Sequence, residues 1–483
     1  MLVKRRNNLL LFLFSAIYLI FASYFLVEAK FLFLSIPLFL FIIMLSIYNY
    51  KYLFYLLVFL TPFSVSLADM GFFMLDIEMA FPTEPILFGL MFLTLFILVS
   101  QPNKFRSIVK HPITFCMIIY LVWILITSIT STTPLVSFKV LLTRLWYIIP
   151  IFLVGGLLFK NKNNMIYFVL LYVIPLAIVI TYTTIRHSGF SFDKESAHYM
   201  MSPFFNDHTS YGAIIAFFLP LTVAVGWVKK NNFLLRFCII AIIIILIIGL
   251  VLSFTRAAWI SLFISVIIGV LIRFRINRKL LFISPILFFI IFILFQSPLL
   301  TLLESNRQDS SDNLFEHVTS ISNISTDASN MERINRWKCA LKMFFEKPLY
   351  GWGPGTYQFE YARFQLSDDR TIISSNSGDM GNAHSEYLGS LCESGFFGLI
   401  SFLMLVLSAV ISAINMYYTI SDKNLKTWLL AIIISLISYF IHGFFNNFLD
   451  TDKASVAIWS VFAMIVAIDL LNDTKQSESL SVR

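Results

Sequence analysis

The sequence predicts an all-α fold: a polytopic membrane helical bundle of 12–14 spans with one large extracytoplasmic loop containing short helices. Three observations carry this expectation. Hydrophobic residues make up 58% of the 483 positions and mean hydropathy is +0.83, more apolar surface than a soluble core of this length needs. The charged residues, only 13%, gather between apolar runs instead of recurring within them. Those runs are near the roughly 20 residues that a helix needs to cross a bilayer.

Candidate spans begin near Leu9, Phe31, Tyr52, Pro85, Ile113, Leu145, Met165, Thr209, Phe237, Ala257, Leu280, Tyr387, Thr427 and Ala454. The first follows KRR but is too long for a secretory signal and lacks a small-residue cleavage site, so it reads as a retained span. Orientation follows from lysine and arginine in the short loops. With the N-terminus inside, 20 basic residues fall on the cytoplasmic side. The opposite short loops hold 7: Lys30, Lys139, Arg144, Arg186, Lys194, Arg256 and Lys453. Both termini are thus expected in the cytoplasm. Net charge +8 then reflects cytoplasmic loops, and no nucleic-acid partner is implied.

Four units are expected: residues 1–296, an N-terminal transmembrane bundle of about 11 spans; 297–386, the external loop; 387–471, about 3 C-terminal spans; and 472–483, a cytoplasmic tail. The loop opens with a Ser/Asn-rich stretch expected to be flexible. MERINRWKCALKMFFEK then has helical periodicity, with Ile334, Trp337, Leu341 and Phe344/Phe345 on one face, as in a helix lying along a membrane surface. Pro348 ends it, and Gly351, Gly353 and Gly355 form either an anion-binding nest or a plain chain reversal, the reversal being favoured. Cys116, Cys238, Cys339 and Cys392 are scattered without disulfide or metal spacing. Neither metal nor cofactor is expected, and no phosphate-binding loop of the G-x-x-x-x-G-K-[ST] type is present.

Ionisable groups concentrate at three places outside the spans. Arg256 lies in SFTRAAW, a tight external turn. It reads either as an interfacial arginine snorkelling to headgroups or as a fixed guanidinium for an anionic ligand. Arg333 and Arg336 start the loop helix three residues apart, where a solvated face is the plain reading. NAHSEYLGSLCESGFFG places His384, Glu386 and Glu393 at the mouth of a span. Ser385 or Asn382 supplies the helix cap, so His384 reads either as a member of a buried polar network or as a general base for a hydroxyl, the latter preferred. The carboxylates lie two turns apart on one face, where an unpaired one is costly. Gly395 and Gly398 are suited to close helix approach. Arg186 and His208 lie on the same external side.

In this order, SFTRAAW, R-x-x-x-W, KPLYGWGPGTY and H-S followed by glycines 11 and 14 residues past the histidine resemble the O-antigen ligase and polymerase superfamily. PFFNDHTSYGAIIAFFLPL (203–221) is similar to the segment opening a span in these proteins, and the resemblance runs from about residue 200 to 400. It implies a glycosyltransferase of polysaccharide and lipopolysaccharide biosynthesis in the bacterial inner membrane. The implied donor is a glycan on undecaprenyl pyrophosphate, transferred to lipid A-core by a ligase or to another lipid-linked repeat by a polymerase. The family's functional arginines map to Arg256 and Arg333 and its histidine to His384. Read from the residues alone and apart from the resemblance, Arg336, Glu393, Glu386, Arg186 and His208 are further candidate substrate contacts. Membrane lipids are the remaining partners. The ligase reading is preferred on the H-S-x9-G-x-x-G stretch. A lipid-linked oligosaccharide flippase or transporter is the rival class, disfavoured because no internal repeat is seen and the ionisable residues cluster on one side.

Overall fold

An apolar run satisfies its backbone in lipid only as a helix or a closed barrel, and helices dominate here. The structure, a computed structural model, describes residues 49–67, 79–229, 231–275, 328–366 and 381–481. Ten of its helices are long and apolar enough to cross a membrane. The helices are α1 (Tyr50–Leu60), α2 (Thr83–Ser100), α3 (Pro102–Val109), α4 (Pro112–Ile129), α5 (Pro134–Leu158), α6 (Lys162–Ser188) and α7 (His208–Val228). Then come α8 (Phe233–Leu252), α9 (Arg256–Arg273), α10 (Ala328–Glu346), α11 (Tyr357–Glu360), α12 (Glu386–Thr419), α13 (Lys423–His442) and α14 (Asp452–Ser481). A two-residue antiparallel pair, β1 (Val65–Ser66) with β2 (Ala80–Phe81), precedes α2.

The protein is therefore a polytopic helical membrane bundle. The spans expected near Leu9, Phe31 and Leu280 lie outside the described residues. The one near Tyr52 is the 11-residue α1, shorter than a span. Lys139 and Arg144, expected in a loop, sit inside α5. Arg186 lies in the last turn of α6, and α14 continues as helix to Ser481.

Side-chain oxygens cap the helix starts, as the four orphan amides there require. Asn161, Asp207, Asn232, Ser385 and Asp422 accept from amides of the first turns of α6, α7, α8, α12 and α13. Apolar character alone does not separate core from lipid. α14, buried without a break from Ala454 to Ile468, packs chiefly on α5, whereas α8, the most apolar span, shows its outer side chains Phe237, Ile244 and Ile248.

The arrangement that matters for the site is the mutual packing of α7, α9 and α13, with α10 against α12. α7, α9 and α12 begin at the end of the bundle where α13 finishes. The partly positive N-termini of α7, α9 and α12 are thus among those at that end.

Candidate functional site

The mouth of α12 is built around a break. Gly395 takes φ 70° and ψ −171° inside the helix, a left-handed backbone open chiefly to glycine. A break strands carbonyls and amides, and the glycine-rich segment after α10 takes them up. Phe396 N–H donates to Pro348 O (2.8 Å), while Trp352 and Gly353 N–H donate to the carbonyls of Cys392 (3.1 Å) and Glu393 (2.8 Å). The freed Ser394 carbonyl accepts from Trp123 Nε1 at 2.8 Å, and the Trp123 ring stacks on Tyr350. Gly351, Gly353 and Gly355 all have positive φ. A Cβ at Gly353 would sit 2.0 Å from Ser131 Oγ. The segment reverses the chain, and the amides of Gly355 and Tyr357 donate to the Glu393 carboxyl group (3.0 Å from Tyr357 N).

This docking seats α10 along α12. Glu332, Asn335, Cys339, Ala340 and Met343 are its buried face. The Leu and Phe face, expected along a membrane surface, is turned away from this interface: Leu341 and Phe345 are exposed, and Trp337 meets Phe445 beyond α13. Arg336 ties α10 to the histidine segment. Its Nε donates to Glu332 Oε1 at 2.8 Å and an Nη donates to Asn382 O at 3.2 Å, with the guanidinium over the Tyr361 ring. Asn382 in turn accepts from His384 N–H at 3.0 Å, and Ser385 caps α12.

His384 is held at φ 45°, left-handed and uncommon for a residue with a Cβ. Burial pulls its pKa down to about 4, helped by the positive charges of Arg336 and Arg333 and opposed by Asp207 and Glu332. The imidazole is therefore neutral at pH 7. The charge of Arg333 also reaches His208, at the start of α7, and His442, at the end of α13. Arg256 opens α9 between two residues tied to those histidines: Thr255 Oγ1 donates to His208 O at 2.8 Å, and the Ala257 backbone lies at the His442 ring. Arg333, His384, His208 and His442 thus lie within electrostatic reach of one another, with Arg336 behind them, and the backbone on either side of Arg256 is anchored at His208 and His442.

The other expected contacts are engaged elsewhere. Glu386 accepts from Tyr439 OH (3.0 Å) and from the amides of Phe448 (2.8 Å) and Leu449 (2.9 Å), fixing the α13–α14 turn. Arg144, ion-paired to Asp450 at 2.6 Å, grips the same turn. Glu393 serves the glycine segment, as above. Arg186 donates to the carbonyls of Met200 and Ser202, fastening the loop before α7.

Two residues of the cluster escaped sequence reasoning. Asp207 caps α7 and its charge is felt at His384, His208 and His442. His442, 1% exposed, meets Asn446 at 3.1 Å. An ionisable residue at the edge of an apolar run marks such a position, Asp207 before α7 and His442 at the end of α13.

Fold and site together define a multi-pass membrane protein with a cationic, histidine-bearing cluster at one end of its bundle. Residues 241–403 match the family model described as O-antigen ligase, which supports the resemblance to the O-antigen ligase superfamily. The matched segment holds Arg256, Arg333 and His384, while 203–221 and His442 lie outside it. No curated protein matches the chain significantly.

Proposed function

We propose that this protein transfers a glycan from undecaprenyl pyrophosphate to an acceptor hydroxyl at the outer face of the inner membrane, in the manner of an O-antigen ligase with lipid A-core as acceptor. The observation that carries the proposal is the reach of Arg333 to His384, His208 and His442 at the end where α7, α9 and α12 begin. Diphosphate is the leaving group, so the developing charge needs fixed positive groups. Arg333 and Arg256 provide them, and the helix N-termini add to the field. The acceptor oxygen attacks the anomeric carbon, the bond from that carbon to the diphosphate oxygen breaks, and its electron pair stays on the diphosphate. The acceptor proton passes to neutral His384. Attack opposite the leaving group inverts the anomeric centre.

The basic residues support the orientation. Lys104, Arg106, Lys160, Lys162, Arg273, Lys423 and Lys426 lie at the end remote from His384, as a cytoplasmic face requires. A polymerase using a lipid-linked repeat as acceptor has the same donor and leaving group and is the alternative. Transport is disfavoured because the ionisable cluster lies at one end of the spans and not midway along them.

The test is the surface glycan of a deletion strain complemented with variants. Loss of lipid-anchored polysaccharide with long chains kept on the carrier identifies a ligase, and single-repeat products identify a polymerase. His384→Ala and Arg333→Ala are each expected to abolish transfer with membrane insertion intact. Arg336→Ala is expected to reduce it less, about tenfold, since this arginine orders the His384 segment from behind. Wild-type glycan in either of the first two variants overturns the assignment.

A further inference from the structure

The end of the bundle remote from His384 carries a second feature that glycan transfer does not use. A cavity of about 480 Å³ opens between α7, α9 and α13. Its walls are apolar, from Val223, Leu262, Val266 and Leu430, and Trp227 and Tyr417 stand at its mouth. Three cations, Arg273, Lys423 and Lys426, line the same mouth. None of the three pairs with a carboxylate among the described residues. The nearest acid in sequence, Asp422, is already committed: it caps α13 and pairs with Lys162 at 2.5 Å. At the floor, Gly269 lets α9 approach α13, since a Cβ there would lie 2.6 Å from Ile434.

An apolar groove inside the spans, crowned by uncompensated cations and aromatic rings at the helix ends, matches one occupant chemically. The walls suit an acyl chain, and the rim suits the phosphate that sits where chain meets water. We infer that this groove binds an anionic phospholipid, with one acyl chain between α7, α9 and α13 and the headgroup phosphate on Arg273, Lys423 and Lys426. A zwitterionic lipid offers the same chain but carries a cation that the rim repels.

The test uses the purified full chain and native mass spectrometry with added phosphatidylglycerol or phosphatidylcholine. Wild type is expected to retain phosphatidylglycerol preferentially. The triple variant R273Q/K423Q/K426Q should bind it on the order of 100-fold more weakly, at about fivefold per basic residue near an anionic headgroup. Val266→Trp keeps every charge and fills the groove, and it should also lower occupancy. Equal retention of the two lipids by wild type, an unchanged preference in the triple variant, or unchanged binding in Val266→Trp would each overturn the inference.

Discussion

His384 shows how a residue is prepared for chemistry before any substrate arrives. Its backbone is left-handed at φ 45°, and its neighbours Asn382 and Ser385 spend their side chains holding the segment in place. A pKa near 4 keeps the imidazole neutral but makes it a weak base in the free protein. A bound diphosphate changes that, because its negative charge offsets Arg333 and Arg336 and favours the imidazolium. As a base, His384 loses activity as pH falls through its pKa. The acid limb of kcat/KM, which reports the free enzyme, should therefore lie near pH 4, and the limb of kcat, which reports the complex, should lie higher. Transfer rates measured across pH with purified protein check this, and coincident limbs contradict it. His384 stood out as a histidine at the mouth of an apolar run, whereas Arg333 and Arg256 were singled out only by the family resemblance, since a solvated face or a snorkelling side chain explains an arginine at either place equally well. Asp207 and His442 carry the same signal, but only packing of α7 against α13 shows that they meet the others.

The helix break in α12 is the element on which the site's shape depends. Pro348 to Gly353 replace the hydrogen bonds that the break removes, and so the loop helix is fastened to the span that follows the histidine. At Gly395 a Cβ would lie 2.2 Å from Leu349 O, on a backbone that L side chains rarely adopt. Gly395→Ala is expected to destabilise the protein by at least about 2 kcal/mol and to abolish transfer. Gly389→Ala, in the same helix with only Ala383 Cβ at 4.0 Å, should behave as wild type. Thermal unfolding in detergent and transfer assays on both variants decide it; equal behaviour contradicts the break's role. From sequence, Gly395 looked like a small residue for close helix approach, since nothing local signals a break that distant amides repair. The loop helix itself was legible from its period, but its packed face was not. Counting Leu and Phe selects the exposed side, while a tight interface with α12 prefers Cys339, Ala340 and Met343.

At the scale of the molecule, two ends of one bundle are chemically distinct. One gathers histidines, arginines and helix N-termini; the other carries the lysines and arginines expected toward the cytoplasm. That polarity was readable from loop charges, as were the ten described spans from their lengths. Which span is enclosed was not readable, because lipid and protein core select the same side chains: α14 is buried and the more apolar α8 is not. The central claim concerns a diphosphate held by residues from separate elements, and a cryo-EM map of the protein with undecaprenyl pyrophosphate tests it most directly. The account predicts diphosphate density against Arg333 and Arg256, beside His384. Density for the diphosphate at any other place, with those three side chains turned away from it, contradicts it.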